Sequence, residues 1–316
     1  MLRLAKYLKP YTALLLSAIV LLFAQANFDL ALPDYLSRIV NYGIQQGGVE
    51  NAVPVAIRQS EMDKAVIFMS AEEKSSVLAD YTLVDKNSPD YATYVEQYPA
   101  LSNEPVYVLN DNVDKAEIER LNTIMSKPLL VVSMIEQVMK DPSKAAQMGG
   151  GNMGFDITKI PPGTDVFAMM SQLPQAQLSR IMDAIDQQFA TLGDKMVTQA
   201  AVAAVRSEYE ALGMDMAKVQ NSYILRVGGI MLLLTLLSGL CTIAVAFLSA
   251  RTASGAARDV RRDVFRNVES FSNAEFDKFS TASLITRSTN DITQIQMVVV
   301  IMIRMMFYAP LVGIGG

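Results

Sequence analysis

The hydrophobic residues of this chain are gathered into three long runs. Residues 12–33 hold a single charge, Asp29; residues 227–250 hold none; residues 296–316 hold only Arg304. Each run is about as long as the ~20 residues with which an α-helix crosses ~30 Å of hydrocarbon, so each predicts a transmembrane helix. In the first run the apolar positions continue past the small-residue triplet at 24–26, through Phe28, Leu30, Leu32, Leu36, Ile39 and Val40. Those spacings keep one helical face apolar, so the run reads as a retained span and not as a cleaved secretion signal. Pro33 then kinks a helix that goes on.

Between the first two runs the pattern changes. Residues 45–222 are polar and punctuated by turn chemistry: Gly47-Gly48, Ser88-Pro89, Asp141-Pro142 and Pro161-Pro162-Gly163. Strand-like stretches fall at 81–84 and 106–109. Helical periodicity marks 114–126 and 128–140, and again 175–221, where Leu178, Ile181, Ile185, Phe189 and Leu192 recur at three- and four-residue intervals. The last of these helices is expected to lead into the second span. The stretch at 149–154 matches G-x-G-x-x-G, but no strand precedes it and no helix pattern follows, so it reads as a loop and not as a dinucleotide site.

After the second span, Val260, Val264, Val268 and Phe271 keep a helical stripe among Arg258, Arg261, Arg262, Asp263 and Arg266. The helix is therefore expected to continue about twenty residues, roughly 30 Å, beyond the membrane. Ser272 to Glu275 has the spacing of a capping box for a short new helix carrying Phe276 and Phe279. A returning helix is expected near Ala282, with Leu284, Ser288, Ile292, Ile295 and Val299 leading into the third run.

Charge orients these pieces. Residues 45–222 carry 24 acidic and 14 basic side chains, a net of −10, whereas the remainder is net positive. Arg3, Lys6 and Lys9 precede the first run and Arg251, Arg258, Arg261, Arg262 and Arg266 follow the second. Basic residues beside spans stay cytoplasmic, which places the N-terminus and 251–295 inside the cell and 45–222 outside, in a multi-pass protein of the plasma membrane. The chain has no histidine and one cysteine, Cys241, so no disulfide can form within it, and a clustered His/Cys metal site or a histidine-based triad is excluded. No catalytic, cofactor-binding or metal-ligating residue is expected, and nothing points to nucleic acid. Asn27, Asp29 and Arg304 are costly in hydrocarbon. Asn27 and Arg304 are candidates for a translocation path; Asp29, toward the outer end, reads as an interfacial or assembly-pairing residue.

With these residues on the page a family resemblance appears. RDVRRDVFRNVESFS at 258–272 and EFDKFSTASLITRSTND at 275–291 resemble the transmembrane domain of type I ATP-binding-cassette (ABC) exporters, in particular bacterial multidrug transporters. LAKYLKPY at 4–11 is similar to the elbow helix before that family's first span, and LPDYLSRIVN at 32–41 to the outward end of that span. The resemblance implies a transporter half in which 272–287 is a coupling helix that docks into an ATP-hydrolysing domain, presenting Phe276, Asp277, Phe279, Ser280, Leu284 and Arg287. An alternative packing sets Phe276 and Phe279 back on the base of their own helices. No G-x-x-x-x-G-K-[ST] phosphate loop occurs, so ATP and Mg would belong to a nucleotide-binding domain elsewhere, in a partner or in a C-terminal continuation, and this chain is not itself an enzyme. Three of the family's six spans are visible, which reads as the N-terminal part of a longer protein.

The expected fold is thus all-α membrane helices with long cytoplasmic extensions and a large mixed, mostly helical extracellular insertion. The expected divisions are 1–44 (elbow and first span), 45–222 (insertion), 223–250 (second span), 251–295 (cytoplasmic hairpin) and 296–316 (third span). The expected function is export by alternating access in a homo- or heterodimer embedded in the lipid bilayer. The alternative is a two-pass receptor with an outer sensor domain, from which the apolar third run distinguishes it.

Overall fold

The structure, a computed structural model, describes residues 6–141, 165–190, 193–272 and 279–315. Two compact units are formed, one from residues 1–38 and 226–316 and the other from residues 39–225.

Among the described residues three helices are long and apolar enough to cross a membrane, at Lys6–Gln45, Met216–Glu269 and Ala282–Gly315. The first contains α1, Thr12–Arg38, which runs through Pro33 before passing into a π-helical stretch, Ile39–Gln45. In the first unit the helices meet along small side chains. Ala18 on α1 packs with Ala253, Val299 and Ile303, and Ala257 packs with Val260 and Ile292. Small residues let helix backbones approach closely where lipid supplies no hydrophobic force to press them together.

The second unit holds its apolar side chains inside. Its strands are β1, Ala56–Arg58, β2, Tyr81–Val84, and β3, Val106–Leu109. They form an antiparallel sheet in the order β1-β3-β2, with Ile57 and Leu83 both opposite Tyr107. The helices around the sheet are α2, Gln59–Ala65; α3, Ala71–Ala79; α4, Tyr91–Gln97; α5, Lys115–Lys140; α6, Val166–Ser171; α7, Gln175–Ala190; and α8, Asp194–Ala211. Ser70 and Glu73 close a reciprocal capping box on α3, and Asp114 caps α5 by accepting from the Glu117 amide at 2.9 Å. Ile57, Met62, Leu121, Met125, Ile135, Met170 and Leu212 are fully buried in the core.

Local readings of 45–222 are corrected at three places. β1 carries only three residues, too few for a periodic signal, and was not expected. The helices expected at 114–126 and 128–140 are one helix, α5, because Pro128 is itself buried among core residues whose packing outweighs the lost backbone bond. The single helix expected over 175–221 is broken. After α8 the chain turns at Gly213, φ +79°, with Met214 N–H bonded to Tyr209 O at 3.0 Å and Gly213 N–H to Glu210 O at 3.1 Å. That paired pattern ends a helix with a left-handed glycine. Asp215 then caps the next helix, α9, Met216–Glu269, through the Lys218 amide at 3.1 Å.

The last elements are α10, Thr281–Thr286, a π-helical stretch, Arg287–Asp291, and α11, Ile292–Gly315. Ser280 caps α10 by accepting from the Ser283 amide at 3.3 Å. The stretch at 149–154 and the proposed capping box at 272–275 lie, wholly or in large part, outside the described residues.

Candidate functional site

Two clusters in the first unit join elements distant in sequence. The first braces the polar extension of α9. Tyr7 donates its hydroxyl to Asp263 and Tyr11 donates to Asp259, each at 2.9 Å. Each pair is a hydroxyl on a carboxylate, the charge-assisted kind that is stronger than a neutral bond. Arg258 donates to the Tyr11 oxygen at 3.1 Å, and Arg262 bonds Asp259 from the next turn. The tyrosines are four residues apart and so are the aspartates, so two helical faces match turn for turn. Gly255 makes the fit possible: a Cβ there would stand 2.4 Å from the Tyr11 ring. From the other side Arg261 donates to Thr293 at 3.1 Å and Gln296 to Ser254 at 3.0 Å, tying the extension to α11.

At the far end of this extension stand the residues expected to dock. Phe276 and Asp277 lie outside the described residues. Phe279 stacks on Phe271 at 5.9 Å between ring centroids and carries the Arg287 guanidinium 5.6 Å from its own centroid. Phe279 is nevertheless 37% exposed, so it both packs on the end of the hairpin and presents a face. Ser280 serves as the α10 cap, Leu284 is half-buried, and Ile285 beside it is exposed.

The second cluster lies among the apolar stretches. Asp29 on α1 accepts from Ser238 of α9 at 2.6 Å on one carboxylate oxygen and from Tyr308 of α11 at 2.7 Å on the other; Gln25, one turn earlier, approaches at 3.5 Å. One side chain thus joins all three spans. Gln25 and Ser238 are buried. Asn27 is exposed and turns its amide back to Phe23 O at 2.7 Å, and Arg304 is exposed one turn before Tyr308. Asn27 is not a member of the Asp29 cluster, whereas the Arg304 charge acts on Tyr308 within it.

Sequence reasoning noted Asp29 but not its partners. A serine or tyrosine in an apolar run is too common to stand out, and only the packing of the three helices selects Ser238 and Tyr308. The elbow tyrosines had a readable signal, the shared four-residue spacing with Asp259 and Asp263.

The second unit has its own partly buried ionic network. Arg58 binds both oxygens of Glu208, the shortest bond being 2.7 Å, and lies 3.5 Å from Glu61 and 3.6 Å from Glu104. Lys64 bridges Glu61 at 2.6 Å and Glu136 at 2.5 Å. Burial pushes the Glu61 carboxyl above the usual range despite Lys64. For Glu136 burial is again the largest single effect and acts in the same direction, but the hydrogen bond and charge of Lys64, the Glu61 hydrogen bond and the Lys140 charge together outweigh it and hold that carboxyl below the usual range. Hydrogen bonding to Glu208 raises the Arg58 guanidinium further. A cavity of about 110 Å³ lies beside this network, and one of about 290 Å³ lies between α5 and the helices α7 and α8. No group of residues that could hold a metal ion occurs among the described residues.

Comparison with known proteins bears on the C-terminal part of the chain. Residues 177–316 match the family model of the ABC transporter transmembrane region. An uncharacterized ABC transporter ATP-binding protein of Mycobacterium tuberculosis is 38% identical over 100 residues, which are 32% of this chain and 17% of the relative. The uncharacterized ABC transporter ATP-binding protein YfiB of Bacillus subtilis is 38% identical over 89 residues, 28% of this chain and 16% of the relative. The matched stretches thus span about one-sixth of the curated relatives' length. No solved structure matches the chain.

Proposed function

We propose, from the premise that residues 177–316 belong to the ABC transporter transmembrane region family, that this chain supplies membrane helices to an ATP-driven exporter and couples them to an ATPase through the α9–α11 hairpin. The chain is a multi-pass membrane protein with an ABC-type transporter membrane domain. The observation that carries the coupling proposal is the brace on α9. Two tyrosine–aspartate bonds, a glycine cleared for a tyrosine ring and two bonds toward α11 make the extension a stiff lever.

A stiff lever transmits a displacement at its tip to the spans it continues, whereas a loose one absorbs it. At the tip, Phe279, Ile285 and Arg287 are exposed on a hairpin whose end turns through α10, and aromatic and arginine side chains are favoured anchors of buried interfaces. In this reading ATP and Mg are bound by a nucleotide-binding domain in a partner or in a C-terminal continuation, residues 1–316 perform no hydrolysis, and the 39–225 unit stands on the outer side. A second transporter half completes the pathway, as homo- or heterodimer. The apolar helix Ala282–Gly315, long enough to cross a membrane, favours this reading over a two-pass receptor, whose cytoplasmic helices stay in water.

The test is a photo-crosslinker placed at Ile285 in native membranes. Crosslinking to a protein whose peptides contain a phosphate-binding loop is the expected result. Crosslinks confined to lipid and to peptides within residues 1–316 would refute the coupling role.

A further inference from the structure

Tyr81, Tyr98 and Tyr209 are all buried in the 39–225 core, but their hydroxyls are treated differently. Tyr81 donates to Pro54 O at 2.8 Å, and the Tyr209 hydroxyl accepts from the Val55 amide at 2.8 Å. Tyr98 is 7% exposed, yet among the described residues its hydroxyl makes no hydrogen bond. A buried hydroxyl without a partner is destabilising, so its retention calls for a reason outside the packing of the core. Tyr98 lines a groove of about 420 Å³, within the size range of small-molecule sites. One wall is α4 with its flanks: Asp90, Tyr94 and Tyr98 recur at four-residue steps, and so do Thr93 and Gln97, which keeps both sets beside the groove. The Tyr94 and Tyr98 rings are stacked, 14° from parallel with centroids 6.2 Å apart, and Tyr94 is half-buried. The other wall is the end of β3, where Asn110 is fixed by Thr82 at 2.6 Å and by Ala79 O at 3.2 Å, and Asp111 follows it. Asp90 gives α4 no side-chain cap, and the side chains of Thr93, Gln97 and Asp111 likewise make no hydrogen bond among the described residues. No lysine or arginine lines the groove.

We propose that this groove binds a neutral pyranose, the sugar ring of a free saccharide or of a glycan chain. The inference concerns the 39–225 unit alone and goes beyond the transport reading. A pyranose has an apolar C–H face and a rim of hydroxyls that both donate and accept. The half-buried face of Tyr94, backed by Tyr98, suits the first, as an aromatic ring with a polar end does at a half-wet site. The rim meets acceptors at Asp90 and Asp111 and groups that donate as well as accept at Thr93 and Gln97. The Tyr98 hydroxyl gains its bond when the sugar is seated. Other ligand classes fit less well. An anion would meet two carboxylates and no cation. A compact cation would use the carboxylates only, because it carries no acceptor for the Tyr98 hydroxyl, the Thr93 hydroxyl or the Gln97 amide.

The test places the full chain, in nanodiscs of zwitterionic lipid, on an array of neutral oligosaccharides ending in glucose, galactose, mannose or N-acetylglucosamine. Empty nanodiscs are the blank, and the affinity of any ligand found is measured by isothermal titration calorimetry. At least one of these sugars is expected to bind saturably. Tyr94→Ala should weaken it by about tenfold or more, as loss of an aromatic anchor does. Tyr98→Phe keeps the ring and should weaken it by about threefold to tenfold, the scale of one hydrogen bond. In the absence of sugar the same variant should unfold at no lower denaturant concentration than wild type, because the hydroxyl it loses is unpaired there; a purely structural tyrosine would show the reverse. Glu96→Gln, exposed on α4 and outside the groove, should leave binding unchanged. Tighter binding of the oligosaccharide than of its terminal monosaccharide would point to a glycan chain, and equal binding to a free sugar; either supports the site. Binding of none of the sugars, equal affinity in wild type and Tyr94→Ala, or saturable binding of tetramethylammonium that sugar does not displace overturns the proposal. The Ile285 crosslink is read separately, so either reading can fail while the other stands.

Discussion

In the 39–225 unit the large apolar side chains point inward, and in the helical unit they point outward. Leu121 and Met125 are fully buried, whereas Leu236, Leu240 and Phe247 on α9 are 66%, 63% and 61% exposed. Both arrangements satisfy the same requirement against different solvents. In water, removing apolar surface stabilises a fold by about 25 cal/mol per Å². In lipid that force between helices is absent, so close packing and polar bonds must hold the spans together. Hence the core of the first kind is broad and made of many contacts, whereas the second rests on few points: the alanine seam, the Tyr7 and Tyr11 brace, and Asp29. A change at one of those points is therefore felt over a whole helix, while a change on their exposed faces is not.

The contrast can be broken most forcefully at Leu121. Leu121→Ala opens a cavity in the 39–225 core and is expected to cost about 2–5 kcal/mol, while Leu236→Ala on the exposed face of α9 should be near neutral. Chemical denaturation of detergent-purified protein followed by circular dichroism measures both; equal costs would mean that the two units are built alike. Gly255→Ala comes next. Its methyl meets the Tyr11 ring and is expected to cost about 1–3 kcal/mol, as overpacking does, and to speed amide hydrogen exchange over 251–270. The cost should fall in a Tyr11→Ala background, because the three atoms nearest the added methyl all belong to Tyr11.

Tyr11→Phe keeps the ring and removes the hydroxyl shared by Asp259 and Arg258, for an expected loss of about 1 kcal/mol and a smaller rise in the same exchange. The smallest effect concerns pH and belongs to the 39–225 unit alone. Glu136 is held below its ordinary range in the fold, so its contribution is complete above the unfolded value of ~4.3 and is lost as pH falls through the folded value. Glu61 is raised, so its contribution has the opposite sign: present below ~4.3 and lost as pH rises through the folded value. Denaturation midpoints between pH 3 and 7 should therefore fall less steeply toward acid in Glu136→Gln and more steeply in Glu61→Gln. Identical slopes in the two variants would show that Lys64 does not divide the pair.

Much of the helical unit was legible in the sequence, because a span declares itself by length and apolarity alone: α1 passes Pro33, α9 extends far beyond its apolar stretch, and a new helix starts beside Ala282. The 39–225 unit was legible at Tyr81–Val84 and Val106–Leu109, where alternation and bounding turns agree. It was not legible at Pro128, whose burial reverses its usual meaning, nor at Gly213, where one left-handed residue ends a helix that periodicity alone would have continued.

The sequence by itself determined that this is a membrane protein with an acidic polar unit between its first two spans, because hydropathy and charge are properties of segments. Only the tertiary structure decided which polar atoms meet. Asp29 finds a partner 209 residues away and another 279 residues away, and Tyr7 finds one at a separation of 256. Such pairings depend on the rotation and depth of each helix against its neighbours, and a single helix carries no record of either.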